Sequence, residues 1–264
     1  LARNIRAADR AYALQWRANA LIDKFQYVRA IADLTEGMRV ARAIPRAKPA
    51  VYLANSYNSR GLAFAYKGDY ASAIKDYDAA IRLRPRFTLA LANRALAYEE
   101  QRQFTLALTN YDAAIKSNPR YAVAFNNRSN VHKELGNIEK AIADATQAIH
   151  LDPKMGLAYQ SRAQHYLAQG DIARAQADID EAVKLQRPRA GLGHAQEWAL
   201  FYRADIHRVT GNLPQALADC ERMQAIDADY IPTLVCFGKT YEKMGDATQA
   251  RTWYERAIAS RNER

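Results

Sequence analysis

Two cysteines in a chain of 264 residues, Cys220 and Cys236, are too few for the disulfide framework that holds small secreted domains together. They are expected as free thiols, with a single bridge between them as the alternative. Long apolar runs are also missing. Arg, Asn, Asp or Lys interrupts each hydrophobic stretch well short of the ~20 residues a membrane-spanning helix needs. The N-terminus shows no basic start, apolar stretch and small-residue cleavage site, yet the chain begins at Leu1 and not at Met. A leader or upstream segment removed before Leu1 is one reading, and the compartment stays open between cytoplasm and periplasm.

Catalytic chemistry is as thinly represented. His132 and His207 occupy expected core positions, while His150, His165 and His194 are scattered without metal-ligand spacing or a paired nucleophile. No glycine loop suited to a phosphate occurs. The expectation is a non-enzyme with no metal and no cofactor.

What the chain has in quantity is small residues at a fixed interval. Ala30, Ala73, Ala107, Ala141, Ala175, Ala216 and Ala250 share one register of a 34-residue unit, giving units 11–44, 54–87, 88–121, 122–155, 156–189, 197–230 and 231–264. These cover 238 of the 264 residues, so the repeat is the protein. Self-similarity at this period indicates a solenoid whose units bury their apolar faces against their neighbours. Hydrophobic residues at 49% supply enough apolar surface for such a core, and charged residues at 25% describe a soluble chain.

With each unit numbered 1 to 34, position 8 is always small and positions 4, 11 and 24 are mostly large, as with Tyr57, Phe64 and Tyr77. The offsets 4, 8, 11 and 20, 24, 27 are the stripes of two amphipathic helices. Five units place Gly and then Asp or Asn between them: Gly68-Asp69, Gly136-Asn137, Gly170-Asp171, Gly211-Asn212 and Gly245-Asp246. Gly ends one helix in the left-handed conformation and Asp or Asn caps the next. The first and third units have Phe25-Gln26 and Arg102-Gln103 instead. Pro85, Pro119 and Pro153 stop second helices.

The segment GLAFAYKGDYASAIKDYDAAIRLRP at 61–85 closely resembles the tetratricopeptide repeat, and the whole resembles a multi-repeat array of bacterial type. The resemblance implies an all-α, right-handed superhelical solenoid of antiparallel helix pairs, whose first helices line a concave groove for peptides or protein segments. The organisation is then a basic N-terminal segment 1–53 with a degenerate first repeat (11–44) and a Pro-bounded linker, four regular repeats over 54–189, an insertion 190–196, and two C-terminal repeats over 197–264. All belong to one continuous solenoid.

Position 7 is Arg17, Arg60, Arg94, Arg128, Arg162 and Arg203 in six units, and position 23 is Asp33, Asp76, Asn110, Asp144, Asp178 and Asp219. The seventh unit replaces both together, by Phe237 and Trp253. Joint replacement within one chain places the two positions in contact, and a constant partner favours structural charge pairs over arginines presented to a ligand.

In the family resembled, positions 2, 5, 6, 9, 12 and 13 face the groove. Carried over, they present Asn55, Asn58, Ser59, Asn93, Asn126, Asn127, Asn130, Gln160, Ser161 and Gln164, and the amides of the Asn and Gln residues suit an extended peptide backbone. A groove type that clamps chaperone C-termini uses Lys at 2 and 5 and Arg at 6. Here position 2 is Leu89, Val123 and Leu157 and position 6 is never Arg, which argues against that clamp. The sixth unit puts Trp198, Phe201 and Tyr202 at positions 2, 5 and 6, either as an aromatic pocket or as residues covered by the insertion that precedes them.

The net charge of +10 is uneven, with +6 in residues 1–53, where Arg3, Arg6, Arg10, Arg39, Arg42, Arg46 and Lys48 could dock an acidic partner. Tyr12, Trp16, Phe25 and Tyr27 are assigned mostly to the core, which argues against base stacking and nucleic acid. The function expected is a protein-interaction scaffold holding an extended peptide. The alternatives are an adaptor that self-associates through its terminal repeat, where Trp253, Tyr254 and Ile258 are covered by the chain itself or by a second copy, and docking of an acidic partner on the N-terminal segment.

Overall fold

The computed structural model describes residues 2–44, 50–185 and 195–262, with side chains from 7 to 260. Arg46, Lys48, Arg187, Pro188, Arg189 and residues 190–194 of the insertion lie outside the described residues, and Arg3 and Arg6 outside the described side chains. Among the described residues all regular structure is helical: α1 (Ala2–Asp23), α2 (Tyr27–Arg42), α3 (Ala50–Tyr66), α4 (Tyr70–Leu83), α5 (Thr88–Glu100), α6 (Phe104–Ser117), α7 (Ala122–Glu134), α8 (Ile138–Leu151), α9 (Gly156–Gln169), α10 (Ile172–Leu185), α11 (Ala195–Val209), α12 (Leu213–Ile226), α13 (Ile231–Met244) and α14 (Ala247–Asn262). The helices α4, α6 and α8 end just ahead of Pro85, Pro119 and Pro153. The chain forms two compact units, Leu1–Val131 and His132–Arg264.

Within the first unit α1 packs on α2, α3 on α4 and α5 on α6, and each pair packs on the next. In the second unit the pairs α9 with α10, α11 with α12 and α13 with α14 repeat the scheme. The register alanines Ala30, Ala73, Ala107, Ala141, Ala175 and Ala216 are fully buried. Position 8 is small because position 24 presses on it: a Cβ added to Gly61 would stand 2.7 Å from the Tyr77 ring, and one on Gly238 2.5 Å from that of Tyr254. Such contacts leave no room for a methyl group without displacing the ring.

Gly68, Gly136, Gly170, Gly211 and Gly245 have φ between 75° and 83°. After three of them, Asp69, Asp171 and Asp246 accept from the backbone N–H of Ser72, Arg174 and Gln249 at 2.9–3.0 Å. The two units without that glycine make the same left-handed turn with Phe25 (φ 60°) and Arg102 (φ 57°). Helix pairing thus imposes the conformation on residues that adopt it at a cost of roughly 1–2 kcal/mol.

The structure adds to the expectations and corrects two of them. First, α1 begins at Ala2, so the first helix extends upstream of the repeat expected at 11–44. Second, the cysteines are not free: Cys220 of α12 and Cys236 of α13 are both fully buried and form a disulfide, their Cα atoms 5.6 Å apart. Their number excluded a framework, but only the packing of position 24 of one repeat on position 6 of the next brings the two thiols together. Third, Tyr12, Trp16 and Phe25 are 52%, 74% and 72% exposed. Tyr12 and Trp16 stand at positions 2 and 6, off the core stripe, and Phe25 lies in the turn.

Candidate functional site

Within each unit the arginines of position 7 tie the first helix of a pair to the second. Arg17 donates from Nε and Nη2 to the two carboxylate oxygens of Asp33 at 2.6 Å each. Arg60 engages Asp76 in the same forked way at 2.7 and 2.8 Å. Arg94 donates to Asn110 Oδ1 at 2.7 Å. In the second unit Arg162 pairs with Asp178 at 2.7 Å and Arg203 with Asp219 at 2.5 and 2.8 Å. Hydrogen bonding to their carboxylates raises Arg60, Arg162 and Arg203 above the ordinary guanidinium pKa.

A second set of contacts escaped the sequence reading. Each position-7 arginine after Arg17 also reaches position 25 of the preceding repeat: Arg60 to Thr35 at 2.9 Å, Arg94 to Asp78 at 2.5 Å, Arg128 to Asp112 at 2.6 Å, Arg162 to Thr146 at 3.1 Å and Arg203 to Asp180 at 3.0 Å. The available signal was the column of Thr and Asp at that position. A guanidinium has five donors in a planar fork, so one residue can tie its own helix pair and the pair before it. Arg128 and Asp144 fall in different units; Asp144 stands 3.8 Å from His132 Nε2. His165, fully buried, is pushed down to about 4 by desolvation, and so is neutral near pH 7.

In the first unit lies a cavity of about 570 Å³ lined by Tyr12, Gln15, Trp16, Asn19, Asn55, Asn58, Ser59, Arg84, Phe87 and Leu89. Eight of the ten occupy positions 2, 5, 6 or 9 of α1, α3 and α5; the other two, Arg84 and Phe87, come from the connection after α4. Asn58 accepts from Asn93 Nδ2 at 3.1 Å, and Asn93 also lines a neighbouring cavity of about 250 Å³ with Leu62, Tyr66 and Leu96. Asn127 hydrogen bonds the buried Tyr111, whose hydroxyl donates to Glu99 at 2.8 Å. Asn130 is partly exposed.

Not every residue of the stripe is open. Asn126 is buried at 5% exposure with its Nδ2 on Asn127 Oδ1 at 3.2 Å, and Ser161 is buried too. Position 5 of the α7 repeat and position 6 of the α9 repeat turn inward there, correcting the expectation of an open amide at Asn126 and an open hydroxyl at Ser161. Sequence reasoning also missed Gln15, Trp16, Asn19 and Arg84. The first three stand at groove positions of the degenerate repeat, and Arg84 lies outside the helices altogether.

In the second unit Gln160 and Gln164 are partly exposed, and Gln164 hydrogen bonds the Tyr202 hydroxyl. Trp198 stacks on Tyr202 with ring centroids 5.9 Å apart and meets Phe201 and Tyr230 edge-on. Phe201 is buried at 8% exposure, since α11 packs it inward, so the three aromatics do not form one open pocket. Trp198 keeps 38% of its surface exposed.

The last repeat differs again. Phe237 and Trp253, which replace the charge pair, stack at 4.2 Å with an interplanar angle of 13°. Arg256 covers the Trp253 ring at 4.7 Å. Trp253 is thus partly buried against its own chain, whereas Ile258 is 63% exposed. Among the exposed arginines of the first pair, Arg10 and Arg39 both bind Glu36.

Models of the tetratricopeptide repeat match residues 54–87, 93–156 with 161–231, and 237–263. No curated protein matches the sequence. Solved structures do match the fold. A tetratricopeptide repeat protein from Parabacteroides merdae is 20% identical with a TM-score of 0.70, over 96% of this chain and 93% of that one. The pilF protein of Pseudomonas aeruginosa is 18% identical with a TM-score of 0.65, over 78% and 90%. PilW, described as a widely conserved type IV pilus biogenesis factor, is 19% identical with a TM-score of 0.67, over 78% and 92%.

Proposed function

The chain belongs to the tetratricopeptide repeat family, whose members generally mediate protein–protein interaction, and on that premise we propose that it is a scaffold holding an extended peptide or protein segment against the groove face of its first unit. The observation that carries this reading is the cavity of about 570 Å³. Three successive first helices contribute to it: α1 and α3 supply the side-chain amides of Gln15, Asn19, Asn55 and Asn58, and α5 supplies Leu89, with Asn93 hydrogen-bonded to Asn58 beside it. A side-chain amide can both donate and accept, which fits a backbone N–H and C=O together. Exposed Trp16 and Leu89 add apolar surface of the kind that anchors a partner's side chain. In the second unit Gln160, Gln164, Trp198 and Tyr202 offer a smaller surface of related composition.

The test is selection of a random dodecapeptide library displayed on phage against the whole chain, followed by titration of the enriched peptides. Replacing Gln15, Asn19 and Asn58 together by Ala is expected to weaken binding at least tenfold with helicity and melting nearly unchanged. Enriched peptides that bind the triple variant as tightly as the parent would move the site away from this face.

A further inference from the structure

Four arginines of the first unit are partly buried: Arg60, Arg84, Arg94 and Arg128. Three have a carboxylate oxygen close by, from Asp76 at 2.7 Å, Asp78 at 2.5 Å and Asp112 at 2.6 Å. Arg84 is the exception. Its guanidinium lies over the Phe87 ring at 4.3 Å and its Nη1 donates to Asn55 Oδ1 at 3.1 Å, but no carboxylate of the described residues is within 4.0 Å of it. Phe87 is itself 7% exposed, so the ring that fixes the guanidinium plane is fixed by the core. Neither contact neutralises the charge. The described residues that line this cavity with Arg84 include no Asp or Glu.

A preorganised, partly desolvated guanidinium with free donors in an acid-free cavity favours a planar anion that can take two parallel N–H bonds. Resting on the groove reading above, we infer that the bound segment carries an acidic side chain whose carboxylate pairs with Arg84, next to an apolar side chain lying on Trp16 and Leu89. The carboxylate belongs to a side chain and not to a C-terminus, because amides flank the cavity in both directions, Asn19 in α1 and Asn93 in α5, and offer partners to backbone running on past Arg84. A small inorganic anion fits less well: a single guanidinium stands beside aromatic and aliphatic surface, with no second basic side chain among the described lining residues.

The experiment uses the peptides enriched from the random dodecapeptide library on the whole chain, synthesised in pairs that differ only by Asp or Glu against Asn or Gln. The acidic member of a pair is expected to bind roughly tenfold or more tightly, the scale of a charge-assisted hydrogen bond. Arg84→Gln removes that discrimination, and Arg84→Glu reverses it for peptides with Lys at the same place, which keeps the test valid against a general loss of folding. The exposed control Arg120→Gln leaves discrimination intact. Peptides that depend on Trp16 and Asn58 yet show no preference for the acid, or keep it in Arg84→Gln, overturn the carboxylate assignment and leave the groove standing. Failure to enrich any peptide overturns both.

Discussion

The second and seventh repeats, 54–87 and 231–264, answer the same packing problem with different chemistry. Both close a glycine at position 8 onto a tyrosine at position 24, Gly61 on Tyr77 and Gly238 on Tyr254, and both turn through a left-handed glycine followed by a capping aspartate. At positions 7 and 23 they part. The second repeat joins its helices by the Arg60–Asp76 fork and spends another Arg60 donor on Thr35 of the repeat before. The seventh has Phe237 stacked on Trp253 and therefore has no position-7 arginine to reach backward. Its tie to the preceding repeat is made by the Cys220–Cys236 disulfide and by buried Arg208, which donates to Thr240 at 2.9 Å. The lesson is that the site requires mutual complementarity and a backward link. Charge is one way to supply them.

The covalent tie should be the largest contributor. Bridging a loop of this size stabilises by about 3 kcal/mol in the chain-entropy account, so reduction, or Cys220→Ala with Cys236→Ala, is expected to lower the stability of the second unit by about that amount in denaturant melts. Reduced and oxidised chains that melt together would show that the packing of α12 on α13 suffices without the bond.

Next come the position-7 arginines. Arg60→Ala leaves the Asp76 carboxylate buried and unpaired and should cost about 2–3 kcal/mol, somewhat below the range for a fully buried pair because Arg60 is 20% exposed. Adding Asp76→Ala should cost less than the sum of the two single changes. The mirror experiment is Phe237→Arg with Trp253→Asp, expected to be less damaging together than either alone. Additive effects in both repeats would mean that positions 7 and 23 are not coupled.

Gly61→Ala and Gly238→Ala test the shared element. Each pushes a methyl group into a tyrosine ring and should cost about 2 kcal/mol, similarly in the two repeats. A neutral change at either would show that the ring moves aside freely there. The smallest effect lies in the turns: Gly68→Ala and Gly245→Ala should each destabilise by about 1 kcal/mol, and Arg102→Gly in the third repeat should stabilise by about the same amount, since it relieves a left-handed non-glycine residue. Equal melting of Arg102→Gly and the parent would mean the arginine is not strained.

Much of this was written in one dimension. A repeat with fixed period exposes its own contacts, because the same pair of positions varies together along a single chain: the joint loss of Arg and Asp at Phe237 and Trp253 located a contact between helices. The groove was only half legible. Asn58 and Asn93 were found from their positions, but Asn126 and Phe201, equally well placed, are buried. Trp16 was misread since a tryptophan in an amphipathic helix suggests the core, whereas its register position is on the groove stripe. Arg84 gave no signal, as it lies in a connection outside the helical period.

For the described residues the sequence by itself determined the helices, their pairing within each unit and most turns, for those depend on local spacing: apolar residues at 3.6-residue intervals, glycine where φ must be positive, proline where a helix must stop. Only the tertiary structure decided what joins one repeat to the next. Whether two cysteines sixteen residues apart are bridged, which Thr or Asp an arginine reaches, and whether Arg84 meets a carboxylate are set by distances between helices. Local propensity carries no record of those distances.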